Sequence, residues 1–143
     1  MPDLLILAVP LSSDLGNLGL ALRRRVFVHE QHVPPELEFD EYDLKATHVV
    51  AVIDGDVVGC LRIVFFDEHA KFGRVVVAAS ARGRGIATAM MRHAMELARL
   101  RGETRFYLTA QSDKLELYEK LGFVAFGDEF DDAGMPHFAM KTY

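Results

Sequence analysis

Hydrophobic and polar positions along this chain repeat in two periods, and each change of period marks the edge of an element. The apolar run Leu4–Val9, closed by Pro10, predicts a buried strand. Ser12, Ser13 and Asp14 then offer side-chain caps for a helix N-terminus. Leu15, Leu18, Leu22 and Val26 recur at helical spacing, which predicts a helix reaching about Glu30, with Gly16 and Gly19 weakening its start. Pro34 and Pro35 forbid its continuation and open an acidic connection, long enough to suspect a binding loop.

Residues 48–53 and 57–66 are rich in β-branched side chains and flank Asp54-Gly55-Asp56, a hairpin signal. Residues 72–77 add a third strand, which makes an antiparallel meander. After Arg84, Ile86, Met90, Ala94 and Leu97 return to helical spacing, with Ala87, Met91 and Ala98 beside them, up to Gly102; the methionines here are core residues. A strand over 106–110, a short helix over 114–121 closed by Gly122, and a last hairpin of 124–126 with 138–140 complete the chain, with the polar segment 128–136 as its loop. The predicted order is β-α-βββ-α-β-α-ββ, without repeats or low-complexity tracts.

Composition narrows the classes this pattern can belong to. With 143 residues, half of them apolar, residues 1–143 are expected to form a single domain around one core. A formal charge of -5 argues against a nucleic-acid binder, which needs a basic excess or stripe. The lone Cys60 cannot form an internal disulfide and sits among Val58, Leu61 and Ile63, as a strand residue would. There is neither a leader-like start nor an apolar run of membrane-spanning length, so a soluble, cytoplasmic protein without a membrane partner is expected.

Chemistry concentrates after the third meander strand. Arg82, Gly83, Arg84, Gly85, Ile86 and Ala87 follow the β-branched run Val75, Val76, Val77 and open a helix. In a strand, turn and helix of this kind the glycines let backbone N–H groups approach a ligand, while the helix dipole and unpaired first-turn amides favour an anion, here a phosphate or pyrophosphate. A nucleotide P-loop would need Gly-Lys-Ser/Thr, and a dinucleotide site G-x-G-x-x-G after the first strand; neither is present. What stands here is R-x-x-G-x-A.

That hexapeptide resembles the pyrophosphate signature Q/R-x-x-G-x-G/A of the GNAT acetyltransferase family. A second stretch, Gln111 to Phe123, resembles the family's other motif, in which an amide residue precedes a helix ending in L-Y-E-K-x-G-F; Gln111 stands at the amide position and Tyr118 at the tyrosine. The segment from Arg24 to Asp43, with Val26-Phe27-Val28-His29-Glu30-Gln31, and the later Pro136-His137 pair are similar to the ElaA/YjcF-like branch.

The resemblance implies an α/β (α+β) fold with a mixed, mostly antiparallel sheet of about seven strands, splayed at the cofactor site, and about four helices. It implies an N-acetyltransferase that passes an acetyl group directly from acetyl-CoA to a primary amine in a ternary complex, without a metal. Residues 82–87 would hold the coenzyme A pyrophosphate through backbone amides, with the Thr88 hydroxyl beside them, and the strand edge at Val75, Val76 and Val77 would pair with the pantetheine arm. Gln111 joins this cofactor set. No H-x-x-x-H or paired Cys/His spacing suggests a metal ligand set either.

Tyr118 is the first candidate for chemistry, because a neutral phenol of pKa about 10 can donate a hydrogen bond or proton to a departing thiolate. A base is also required, since freeing an alkyl amine of its proton at neutral pH costs about 4.6 kcal/mol. Many family members use a glutamate on the strand corresponding to 72–77, and this chain has no carboxylate there. Glu30, His48 and His137 are the alternatives, with Glu30 leading by position in the similar branch. The acidic run from Glu36 to Asp43 fits either a solvated loop or a surface for a cationic acceptor such as a polyamine, amino sugar or peptide amine. Arg62 would meet an acceptor carboxylate or an acidic neighbour. A non-catalytic acyl-CoA-binding regulatory module is the competing class, and a longer-chain or lactone-forming acyltransferase a third. A homodimer stays open, since nothing in the sequence fixes the oligomeric state.

Overall fold

The computed structural model describes residues 3–143. Seven strands form one sheet: β1 (Leu4–Val9), β2 (Thr47–Ile53), β3 (Asp56–Phe65), β4 (Ala70–Val77), β5 (Phe106–Gln111), β6 (Val124–Asp132) and β7 (Met135–Lys141), in the spatial order β1-β2-β3-β4-β5-β7-β6. All pairings are antiparallel except β4 with β5. The helices are α1 (Asp14–Arg23), α2 (Pro35–Glu38), α3 (Ile86–Leu100) and α4 (Leu115–Glu119). Apart from the added α2, the element order is the one the periodicity predicts.

Alternation along the central strands sorts their side chains into two cores. Val49, Leu61, Ile63 and Phe72 point to the α3 side, where they meet Met90, Met91 and Ala94. Val50, Cys60 and Val76 point to the other side and meet Leu22 and Val26. Met90, Met91 and Met140 are fully buried, as expected of core methionines. The Cys60 thiol donates to the Gly19 carbonyl, and burial pushes its pKa up to about 12, so it behaves as a packed apolar group. Asp54 and Gly55, both at positive φ (50° and 83°), make the tight β2–β3 turn.

Six local expectations need correction. β1 is an edge strand and Leu5 remains 60% exposed, because only β2 flanks it. On α1, Leu18 faces solvent while Gly16 and Gly19 face the body: a Cβ on Gly16 would sit 2.2 Å from the Pro10 carbonyl oxygen. The helix predicted to Glu30 is α-helical only to Arg23 and continues as a π-helical segment, Arg24–Glu30. The acidic connection is not an open loop but α2 followed by a 3-10 turn, Glu41–Leu44. The last hairpin runs through the polar segment assigned to its loop, turning only at Ala133 and Gly134, while the short helix shrinks to Leu115–Glu119.

β4 carries the feature that matters for function. Its parallel pairing with β5 stops after Ala70, Lys71 and Phe72. Two residues later Arg74 takes a left-handed φ of 52°, and the β3 register slips there, with Arg62 facing Gly73 and Cys60 facing Val76. Two β3 steps thus match three β4 steps, which is a β-bulge. Beyond it Val76 and Val77 stay paired to β3, and the whole run Val75–Val77 parts from β5. No helix among the described residues is long and apolar enough to cross a membrane.

Candidate active site

The gap between β4 and β5 opens into a cleft of about 600 Å³. One end is made by the turn into α3. Gly83 and Gly85 sit at φ of 80° and 76°, a region side-chain-bearing residues rarely adopt, and a Cβ built on either would meet nothing within 4 Å. No side chain caps α3 at Gly85, so the amides of its first turn are unpaired and face a space large enough for an anion. Gly83, Gly85, Ile86, Ala87 and Thr88 all line the cleft.

The two arginines of the turn differ. Arg82 lines the cleft, donates to the Val77 carbonyl and forms an ion pair with Glu30 at 2.7 Å across the cleft mouth. Arg84 does not line it and donates instead to the Ser80 carbonyl at 3.3 Å.

The middle of the cleft has Val75, Val76 and Val77 on one wall and Thr109, Gln111 and Tyr118 on the other. The parting of β4 from β5 leaves main-chain donors and acceptors of the valine run without a strand partner on that side, where an amide-bearing ligand would satisfy them. The Gln111 amide donates to the Gln31 side chain at 3.0 Å, tying β5 to the end of the π-helical segment. Tyr118 is mostly buried against Phe123, and burial raises its phenol pKa to about 12. Its hydroxyl has no protein partner among the described residues, yet it is not sealed off, so it is available to a ligand.

The catalytic candidates separate. His137, on β7 opposite Gln111, lines the cleft. Its Nδ1 lies 2.9 Å from the Met135 carbonyl oxygen, which can only accept; in the neutral ring the proton is therefore on Nδ1 and the lone pair on Nε2. Glu30 is about half exposed and its pKa is lowered, first by the hydrogen bond from Arg82. His48 lies outside the cleft, with Nε2 2.8 Å from the Asp43 carbonyl oxygen, a structural role.

Around the other end lies an ion network that the sequence does not announce. Arg23 is 2% exposed and bridges Glu38 (2.7 Å) and Asp43 (2.6 Å). Arg62 grips Asp40 with two nitrogens, at 2.6 and 2.9 Å, and reaches Asp43 at 3.1 Å. Arg74, from the bulge, contacts Glu38 and Asp40. Burial opposes the charge of Asp43, but the Arg23 hydrogen bond, the Asp40 amide and two guanidiniums outweigh it and bring its pKa to about 2. Of the acidic run, Glu38, Asp40 and Asp43 are thus consumed internally while Glu36 and Glu41 stay exposed, and Arg62 meets acidic neighbours. No His/Cys/Asp/Glu group suited to a metal occurs among the described residues.

Known proteins share this fold. The model of the Acetyltransferase (GNAT) family matches residues 19–123. The uncharacterized N-acetyltransferase YjcF of Bacillus subtilis is 37% identical over 121 residues, 83% of this chain and 86% of that protein. An acyl-CoA N-acyltransferase from Pseudomonas aeruginosa superposes with a TM-score of 0.86 at 31% identity over the whole of both chains. Escherichia coli ElaA does so at 0.85 and 26%, again over both chains in full.

Proposed function

We propose, on the premise that the chain belongs to the GNAT acetyltransferase family and its ElaA/YjcF-like branch, that residues 1–143 form one domain moving an acetyl group from acetyl-CoA to a primary amine by direct transfer in a ternary complex. The protein is an acyltransferase by family. The observation that carries the finer reading is the continuous cleft between β4 and β5, with unpaired helix amides at one end and a free tyrosine hydroxyl within it.

Bound acetyl-CoA would supply the activated acyl group. The amides of residues 82–88 fit its diphosphate, with Arg82 adding charge once released from Glu30, and the Val75–Val77 edge fits the amides of its arm. Arg84 contributes through its backbone rather than its side chain. Gln111 positions the cleft wall through Gln31.

Tyr118 acts as a hydrogen-bond donor to the departing thiolate. With its pKa near 12 it remains neutral, and handing over the proton outright to a thiolate of conjugate-acid pKa about 8.5 would be uphill by about 5 kcal/mol. His137 takes the amine proton through Nε2, since its tautomer leaves that lone pair free, whereas Glu30 is less basic than an ordinary glutamate and engaged by Arg82.

The test is coenzyme A release from acetyl-CoA over a panel of primary amines. Saturable turnover is expected, with Tyr118→Phe lowering kcat about a hundredfold while the melting curve is retained. Tight acetyl-CoA binding with no turnover of any amine would overturn the catalytic reading.

A further inference from the structure

We propose that the acceptor is an amine that also bears a carboxylate, an α-amino acid being the simplest case, with Lys71 receiving the carboxylate and Asp132 the ammonium side. The inference rests on the acetyl-transfer reading of the cleft and adds the chemical class of the acceptor.

A charge count at the acceptor end leads to it. Arg23, Arg62 and Arg74 are matched by Glu38, Asp40 and Asp43, and Glu30 is matched by Arg82. Four charged cleft residues remain without an ion pair or side-chain hydrogen bond among the described residues: Asp113 and Lys114, adjacent on the turn after β5, and Lys71 and Asp132, which stand on separate strands. Lys71 and Asp132 reach the cleft from different walls. Lys71 alternates on β4 with the core residues Ala70 and Phe72, so it stands on the face away from α3, beside Tyr107 in the parallel register. Asp132 closes β6 at the turn into β7, two residues past Phe130, which stacks on His137.

An ammonium and a carboxylate that face one cavity without touching each other are complementary to a zwitterion. Lys71 is where the anion belongs, because it is half buried with no carboxylate in contact, Asp132 and Asp40 acting on it only from a distance, and Arg62 and Arg74 are near. Burial first, and then those guanidiniums, push its pKa down, a penalty that a bound carboxylate relieves. A diamine or polyamine would instead bring a second cation toward Lys71. Next to this end a side cavity of about 90 Å³ is lined by Phe27, Val33, Leu37 and Met135 together with Glu38, Arg74, Asp132 and His137, room for a small substituent only.

The experiment compares amines that differ only by the carboxylate: valine with isobutylamine, leucine with isoamylamine, alanine with ethylamine. With the full chain and saturating acetyl-CoA, kcat/KM is expected to be at least about tenfold higher for the amino acid of a pair. Lys71→Met brings that ratio to within about threefold of one, chiefly through KM, and Lys71→Arg restores most of it. Asp132→Asn lowers kcat/KM for both members of each pair. Acetyl-CoA affinity measured by calorimetry on each variant checks that the fold is intact. A wild-type ratio at or below one, or a ratio that Lys71→Met leaves unchanged, overturns the inference, as does the absence of turnover with every amino acid. The underlying reading fails separately: it falls if acetyl-CoA does not bind, and stands if the decarboxylated amines alone are acetylated.

Discussion

At the α3 end of the cleft the ligand-facing groups are main-chain amides of consecutive residues, set by two left-handed glycines. At the opposite end they are side chains delivered by β3, β4, β6, β7 and the π-helical segment, held in place by buried ions from four parts of the chain. The first end depends on the backbone and tolerates side-chain change. The second depends on charges matched across long sequence distances, and loss of one partner exposes the others. An anion common to every reaction cycle suits a backbone cradle, while discrimination between acceptors is placed where single side chains can alter it.

The largest effect expected from breaking this contrast is at Arg23. Arg23→Met leaves Glu38 and Asp43 buried without their main counterion and should cost about 3 to 5 kcal/mol of stability, read from the urea midpoint. A destabilisation under about 1 kcal/mol would show that the network does not hold the acceptor end.

Acid provides a milder break of the same network. Because the Asp43 pKa is depressed from 3.8 to about 2, its contribution to stability is fully present above about pH 4 and is lost as pH falls through about 2. Wild type should therefore exceed Asp43→Asn by about 2 kcal/mol near neutrality, with the gap closing between about pH 4 and pH 2 in a urea titration series. A gap that persists at pH 2 would count against this assignment.

At the cradle the effects move from stability to binding. Gly85→Val forces a β-branched residue into a left-handed φ of 76° and should weaken acetyl-CoA binding about tenfold by calorimetry. Arg84→Ala, at the same turn, should change the affinity by less than about twofold, since its guanidinium bonds Ser80 and not the cleft. Equal losses in the two variants would erase the distinction between a backbone-built end and a side-chain-built one.

The same contrast accounts for what could be read in advance. The glycine turn, the valine run and the Gln111–Tyr118 stretch are contiguous, and periodicity places them on a strand, a helix start and a short helix, so the residues named from the two motifs, Arg84 apart, line one cleft. Arg23, Glu38, Asp43, Arg62 and Arg74 lie 15 or more residues apart for most of their contacts. In a linear reading such acids resemble a solvated run, and their neutralisation becomes visible only when α1 and the bulge deliver the arginines. The polar half of the last hairpin was illegible for another reason. β6 is the sheet's edge and is exposed along nearly its whole length, so no apolar alternation is required of it. The π-helical widening at Arg24–Glu30, which brings Phe27 and Glu30 to the cleft, has no composition signal in this chain.

The bulge at Arg74 makes the aperture a matter of how many residues β4 contains more than of which ones. Val76 packs on the α1 side, while Val75 and Val77 pack on the α3 side. Removing Arg74 would leave those faces as they are and rejoin the frame of β4 with β3, Leu61 then facing Val75, so that the bulge is lost. Point changes can therefore retune what enters the enzyme, whereas a single codon deletion at this place would shut the doorway itself.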